Sequence, residues 1–314
     1  MKSLKKFRLF FVLREQYYAK FYLMYIHTIR AMTIKEIHSA SYHPIADLIT
    51  YNPLPSPKLR QIDPFLFLNH HGFQTYPKNN RGLPFGPHPH RGMETVTFIL
   101  EGDIMHKDSG GHESVIEAGG IQWMTAGKGL IHAEVSSSKF KKDGGDLEIL
   151  QLWINLPAKL KMTEPRYIGL QKEEITHFSL ENGKVNVQLI AGEWDGNKGS
   201  FETLSPIFLS TIEMEKGGKF TKNVPEGENV FFYIVRGEVK ILGEKIPFRN
   251  LVEFTNDGGN LSVEATEDTI VILGHAIPFN EPMVAQGPFV MNTQQEIMEA
   301  YKDYQQGKFG TWNH

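Results

Sequence analysis

The chain has 314 residues, 40% of them hydrophobic and 22% charged, enough to bury one large core or two medium ones. Its 33 Lys and Arg against 36 Asp and Glu leave a formal net charge of −3, which gives no global attraction to nucleic acid or to an anionic membrane. There is no cysteine, so disulfides, thiolate metal sites, iron–sulfur clusters and cysteine nucleophiles are excluded together, and a cytoplasmic location is expected. Residues 1–31 stand apart as a basic, aromatic segment. Arg14 and Glu15 end its apolar run at 9–13, and Lys20 breaks the next one. No window reaches the roughly 20 apolar residues that a membrane helix needs. The segment reads as an upstream extension before an internal start at Met24 or Met32, with a peripheral membrane helix or an import segment as the alternative.

From residue 32 on, short runs of Val, Ile, Leu and Phe alternate with Gly, Asp, Asn and Pro, which predicts an all-β chain. The run 93–102 splits by period two into Glu94, Val96, Phe98 and Leu100 against Met93, Thr95, Thr97 and Ile99. The run 147–156 places Glu148, Leu150, Leu152, Ile154 and Leu156 together. Further strands are expected at 185–192, 205–214, 229–241 and 268–274. The second half repeats the rhythm of the first. Two antiparallel β-barrel domains are therefore predicted, 32–165 and 166–314, joined near 165–185. A closing helix is expected over 293–306. Thr293 and Glu296 have capping-box spacing, Ile297, Tyr301 and Tyr304 form a stripe, and Gly307 is a natural stop.

Chemistry concentrates in two short motifs. In GPHPHRGMETVTFILEG, Pro89 separates His88 from His90, and an extended i, i+2 spacing turns both imidazoles to one side. In QWMTAGKGLIHAEVSS, His132 and Glu134 repeat that spacing after the Gly127 and Gly129 turn. Either pair alone is more often a surface feature. Brought together by a hairpin-rich barrel, they would offer three neutral nitrogens and one anionic oxygen, a set suited to divalent iron or its neighbours. Glu94 is a further candidate, as a ligand or as an acceptor for an imidazole proton. His106, Asp108 and His112 read as hairpin-loop residues that could line an entrance. Phe85, Met93, Phe98, Trp123 and Met124 read as barrel core or as the lining for a flat ligand. Gly237 and Gly274 read as turn residues, and His275 stands isolated.

These motifs, with IDPFLFLN, LQLWINLP and GPFVMNTQQEIMEAYKDYQQGKFG in the same order, make the chain resemble the pirins, bicupins of the cupin superfamily, from about residue 33 to the end. The resemblance implies two cupin jelly-roll domains, the first holding a metal and the second metal-free. It assigns His88, His90, His132 and Glu134 as ligands, where the wider cupin pattern would take Glu94. It implies Fe(II), with Mn, Ni, Co, Cu or Zn as alternatives. Some pirins are similar to quercetin 2,3-dioxygenases. The implied reaction is O2-dependent opening of a flavonol, releasing CO and a depside, with Glu134 as ligand and base. Two other readings are a dioxygenase for another small phenol and an iron-dependent regulatory protein that binds a protein partner. A monomer is expected, without direct nucleic-acid or membrane binding. Gly120 stands where many relatives carry an acid.

Overall fold

The computed structural model describes residues 30–312. The proposed extension, apart from Arg30 and Ala31, lies outside the described residues. The strand Met93–Glu101 shows how the sequence builds the fold, because both of its faces are buried. One parity class (Val96 and Phe98) joins an apolar cluster shared with the second domain, while Thr97 of the other class faces the barrel interior and bonds Glu134. Such a strand must lie mid-sheet between two layers.

It is the third of seven strands, in the order Arg166–Leu170, Ile121–Thr125, Met93–Glu101, Gly145–Asn155, Phe65–Tyr76, Thr50–Leu54, Ser41–Tyr42. A four-stranded sheet, Phe85–His90, Leu130–Val135, Asp103–Asp108, Glu113–Glu117, folds over its inner face. The second half repeats this plan place for place. Its seven-stranded sheet runs Ile34–Ser39, Asn250–Phe254, Asn229–Arg236, Thr269–Ala276, Ile207–Met214, Val185–Ala191, Thr176–Leu180. Its smaller sheet runs Lys219–Val224, Gly259–Ala265, Glu238–Ile241, Glu244–Pro247. Two β-barrel domains and a short C-terminal helix are thus the observed architecture, as expected.

The large sheets pack face to face. Phe65 meets Phe231 at 5.4 Å between ring centroids, and Trp123 stacks on Phe201 at 5.7 Å. This shared cluster is the largest core and also takes in Leu150, Leu152 and Ile154, the parity class expected of 147–156. A second core of Val, Ile, Leu and Phe fills the second barrel.

The division at 165/166 is crossed in both directions. Ile34–Ser39, from the start of the first half, forms the edge strand of the second large sheet, paired with Asn250–Phe254. Arg166–Leu170 completes the first sheet. After the second barrel the chain returns over the first: Arg91 bridges Phe289 in parallel, and the Val290 N–H donates to the Arg91 carbonyl. The helix Gln294–Gln305 follows, with Thr293 and Glu296 forming the reciprocal capping box. Of its expected stripe, Ile297 is buried with Ala300, and Tyr304 is exposed.

Two expectations need correction. The run 229–241 is two strands hinged at Gly237, whose φ of 80° suits glycine. Gly274 is no turn residue. It lies within Thr269–Ala276, where a Cβ would stand 3.0 Å from Phe65 and 3.2 Å from Leu209, so its small size lets the first domain approach.

Candidate metal centre

Phe85–His90 and Leu130–Val135 are antiparallel neighbours, and their register sets His132 opposite His88 and Leu130 opposite His90. Alternation then sends all three imidazoles inward. The rings lie 4.4 to 5.0 Å apart by centroid, and one nitrogen from each falls within 4.8 Å of the others. Nε2 of His132 stands 3.0 Å from Nε2 of His88. Nε2 of His90 is buried with no partner.

The opposite nitrogens explain that orientation. Nδ1–H of His88 donates to the Gly86 carbonyl at 2.7 Å, and Nδ1–H of His90 donates to the Pro288 carbonyl at 3.2 Å. With the proton held on Nδ1, the Nε2 lone pair is free for a ligand. Burial, reinforced by His88, pushes the pKa of His90 down to about 3. Burial and the neighbouring imidazoles hold His132 well below the usual range. Both are therefore neutral near pH 7, the form that binds a divalent metal. Three imidazole nitrogens converging on one point, one of them buried and unpartnered, fit such an ion.

Glu134 lines the same cavity but stands beside the nitrogen cluster, outside that 4.8 Å grouping. Its Oε1 accepts from Thr97 Oγ1 at 2.7 Å, and its Oε2 accepts from the Gln151 amide. Gln151 in turn accepts from the Trp153 indole at 3.0 Å, and Trp153 meets His90 edge-on at 5.2 Å. Thr97 lies inside the first motif, and Gln151 and Trp153 lie in the run 147–156, but none of them stood out as a candidate. Period two along 93–102 and 147–156 was the signal that could have found them.

Glu94 shares the parity of Val96 and Phe98 and sits on the interdomain side of its strand. It accepts from Thr125 Oγ1 at 2.6 Å and bonds no imidazole, so it is not the acceptor for an imidazole proton that the sequence suggested. Phe98 and Trp123 lie in the interdomain cluster, Met93 packs with Leu66 and Val290, and Met124 packs with Leu130. Of the five expected lining residues only Phe85 borders the cavity, with Asn69, His71, Ile104 and Ile149.

His106 and Asp108 are buried strand residues, not loop residues, because the register sets them opposite Glu134 and His132. His106 stacks on Tyr167 at 3.8 Å, and its Nε2 bonds Asp108 at 3.0 Å. His112 alone lies in the turn, also bonded to Asp108.

The returning C-terminal segment closes the site. Arg91 donates to the Lys128 carbonyl at 2.7 Å and to Asp303 at 3.0 Å, and its guanidinium lies 4.6 Å from the Phe309 ring centroid. Buried Lys161 donates to the carbonyls of Gly92 and Val290 and to Asn155. Gly92 has a φ of 79°, and a Cβ there would stand 2.0 Å from the Val290 carbonyl oxygen. At Gly129 a Cβ would meet the Phe309 ring at 2.6 Å. The glycines beside both motifs therefore admit this segment.

The pirin family model matches residues 47–154, and that of the pirin C-terminal cupin domain matches 209–310. The chain belongs to the pirin family. It is 38% identical to the pirin of Rattus norvegicus, over 81% of this chain and 85% of that one. It is 36% identical to a pirin-like protein of Solanum lycopersicum, over 89% and 93%. The structure of a quercetin 2,3-dioxygenase from Acinetobacter baumannii superposes with a TM-score of 0.85 at 35% identity, covering 90% of this chain and 99% of that one. Both halves are thus cupin-type domains, and the first contains a histidine cluster suited to a divalent metal. Among the described residues, no helix is long and apolar enough to cross a membrane.

Proposed function

We propose that this pirin is an iron-dependent dioxygenase that opens a flavonol such as quercetin with O2, with His88, His90, His132 and Glu134 holding the metal. The observation that carries the reading is the convergence of three imidazole nitrogens, with Nε2 of His90 buried and unpartnered. The likeness to the Acinetobacter dioxygenase supports the choice of substrate. Fe(II) suits a set of three nitrogens and a carboxylate, and Mn, Ni, Co, Cu and Zn are the alternatives. When bound, such an ion would supply the charge that lowers the pKa of a substrate hydroxyl.

The chain's own residues do the rest. Glu134 is the base that takes the proton of the flavonol 3-hydroxyl, and its bonds to Thr97 and Gln151 hold it beside the imidazoles. Phe85 and Ile149 supply apolar wall, and Trp153 keeps His90 in place. The cavity measures about 40 Å³, well short of the several hundred usual for a drug-sized ligand. A flavonol would therefore enter edge-on, with its remaining rings at the mouth. The same observation favours a second reading, a smaller phenol as the cellular substrate.

The deciding assay is iron-loaded protein with quercetin under air, following flavonol absorbance and CO release, beside His88→Ala with metal content measured for both. Metal-dependent CO release is expected from the wild type and none from the variant. Fully loaded protein without turnover would overturn the flavonol reading. A higher kcat/KM on a one-ring phenol would favour the second.

A further inference from the structure

The second barrel has a cavity at the place where the first has Trp153, next to its imidazole cluster. In the first sheet, Phe67 and Thr95 flank Trp153. In the second, Phe208 and Val230 flank His275. Thr95 and Val230 stand equally far before their turn glycines, Gly102 and Gly237, so His275 holds the place of Trp153. Following the register outward sets Val263 at the place of Glu134, Leu261 at that of His132 and Lys222 at that of His88. The metal-binding set is gone: Leu261 and Val263 belong to the second hydrophobic core, and the open space lies beside them, at His275.

A cavity of about 500 Å³ opens beside His275, bordered by Phe201, Phe208, Glu193, Glu202, Glu228 and His275, with Lys198 at its rim. His275 is 7% exposed and stacks on Phe208, with centroids 4.5 Å apart and planes at 11°. Its Nδ1–H donates to the Glu228 carboxylate. That bond leaves Nε2 as an acceptor, and Nε2 is buried without a partner. A buried polar atom with no partner needs an explanation, and a ligand donor supplies one. Lys222 is already engaged, donating to the Glu193 carbonyl at 2.9 Å with its ammonium 4.5 Å from the Phe208 centroid. What remains on offer is acceptors and carboxylates against an aromatic wall.

We propose that the mouth of the second barrel binds a small organic amine in its ammonium form, with an N–H donated to Nε2 of His275, the charge facing Glu202 and Glu228, and an apolar body against Phe201 and Phe208. The site is independent of the metal centre.

Benzylammonium is the probe, titrated into the iron-loaded full chain by calorimetry and by 15N imidazole NMR, with benzyl alcohol as the neutral control. Saturable one-to-one binding is expected, with the His275 Nε2 resonance shifting. His275→Phe keeps the stack but removes the acceptor, and is expected to weaken binding roughly tenfold or more. Glu202→Gln, on the exposed rim, is expected to weaken it several-fold, and it carries the test if His275→Phe does not fold. His88→Ala is expected to leave affinity unchanged. No saturable binding, equal affinity for benzyl alcohol, or a loss on His88→Ala with none on Glu202→Gln would overturn the proposal.

Discussion

Glu94 and Glu134 are both buried carboxylates that the motifs offer as ligands, and their neighbours separate them. Glu134 is flanked by two donors, Thr97 and Gln151, on the side of the imidazoles. Glu94 faces the second domain, where burial raises its pKa above the usual carboxylate range and Thr125 donates to it. The neutral amide of Gln mimics a protonated carboxyl. Glu94→Gln should therefore keep full metal content and shift stability by about 1 kcal/mol or less. Elemental analysis and urea unfolding check this, and metal loss in Glu94→Gln would sink the assignment. Gln151→Leu leaves Glu134 without one donor and should lower metal affinity roughly 10–100-fold, read by competition with a chromophoric chelator. Unchanged affinity would mean that Glu134 is not a ligand. The residues themselves were legible in the sequence, as was the parity that splits 93–102. Which parity faces the imidazoles was not, because both faces of the strand are buried and polarity does not mark the inside.

At the scale of elements, local signals were legible and distant ones were not. The capping box announced the helix Gln294–Gln305, since all of its partners lie within one turn. Nothing local says that Pro288, 198 residues from His90 in sequence, supplies the acceptor that fixes the imidazole. The same holds for Lys161, which no local signal singles out yet is 1% exposed. Its ammonium ties the strand after His90 to the returning segment through the carbonyls of Gly92 and Val290, with Asn155 as third acceptor. Lys161→Met would fill the space but strand three acceptors. The expected cost is about 3 kcal/mol in urea unfolding, with faster metal release, because the segment that holds His90 loosens. A variant as stable as the wild type, with unchanged metal release, would show that the segment docks without this lysine.

At the scale of the molecule, the repeat was legible as rhythm, while the exchange of terminal strands between barrels was not, because an edge strand can complete either sheet. The exchange and the shared core join the barrels, and a polar network crosses the same interface. His70 bonds both Tyr233 and Glu148, and Arg236 bonds Glu148 and Glu101. Both domains should thus respond together when buried imidazoles titrate. Burial drives His71 and His90 from 6.5 down to about 3 and also lowers His70 and His132, with Glu148 opposing the shift at His70. His71 and His90 stay neutral in the folded chain but take a proton in the unfolded one once the pH falls below about 6.5, and the lowering of His70 and His132 acts in the same direction. The unfolded state therefore binds more protons across that window, and stability falls as the pH drops from about 6.5 toward 3. Each such histidine adds up to about 1.4 kcal/mol per pH unit to the slope. Metal-free protein is the right sample, since a bound ion would add its own proton competition. His71 bonds Thr50 at 2.9 Å and is not one of the proposed ligands, so it isolates one contribution. His71→Phe shifts the whole curve by the lost bond but should also flatten the acid slope by one histidine's share. Urea unfolding at a series of pH values separates the two, because the lost bond is an offset and the titration is a gradient. A slope identical to the wild type would mean that His71 is protonated in the folded chain, and the buried-neutral account of these imidazoles would fail.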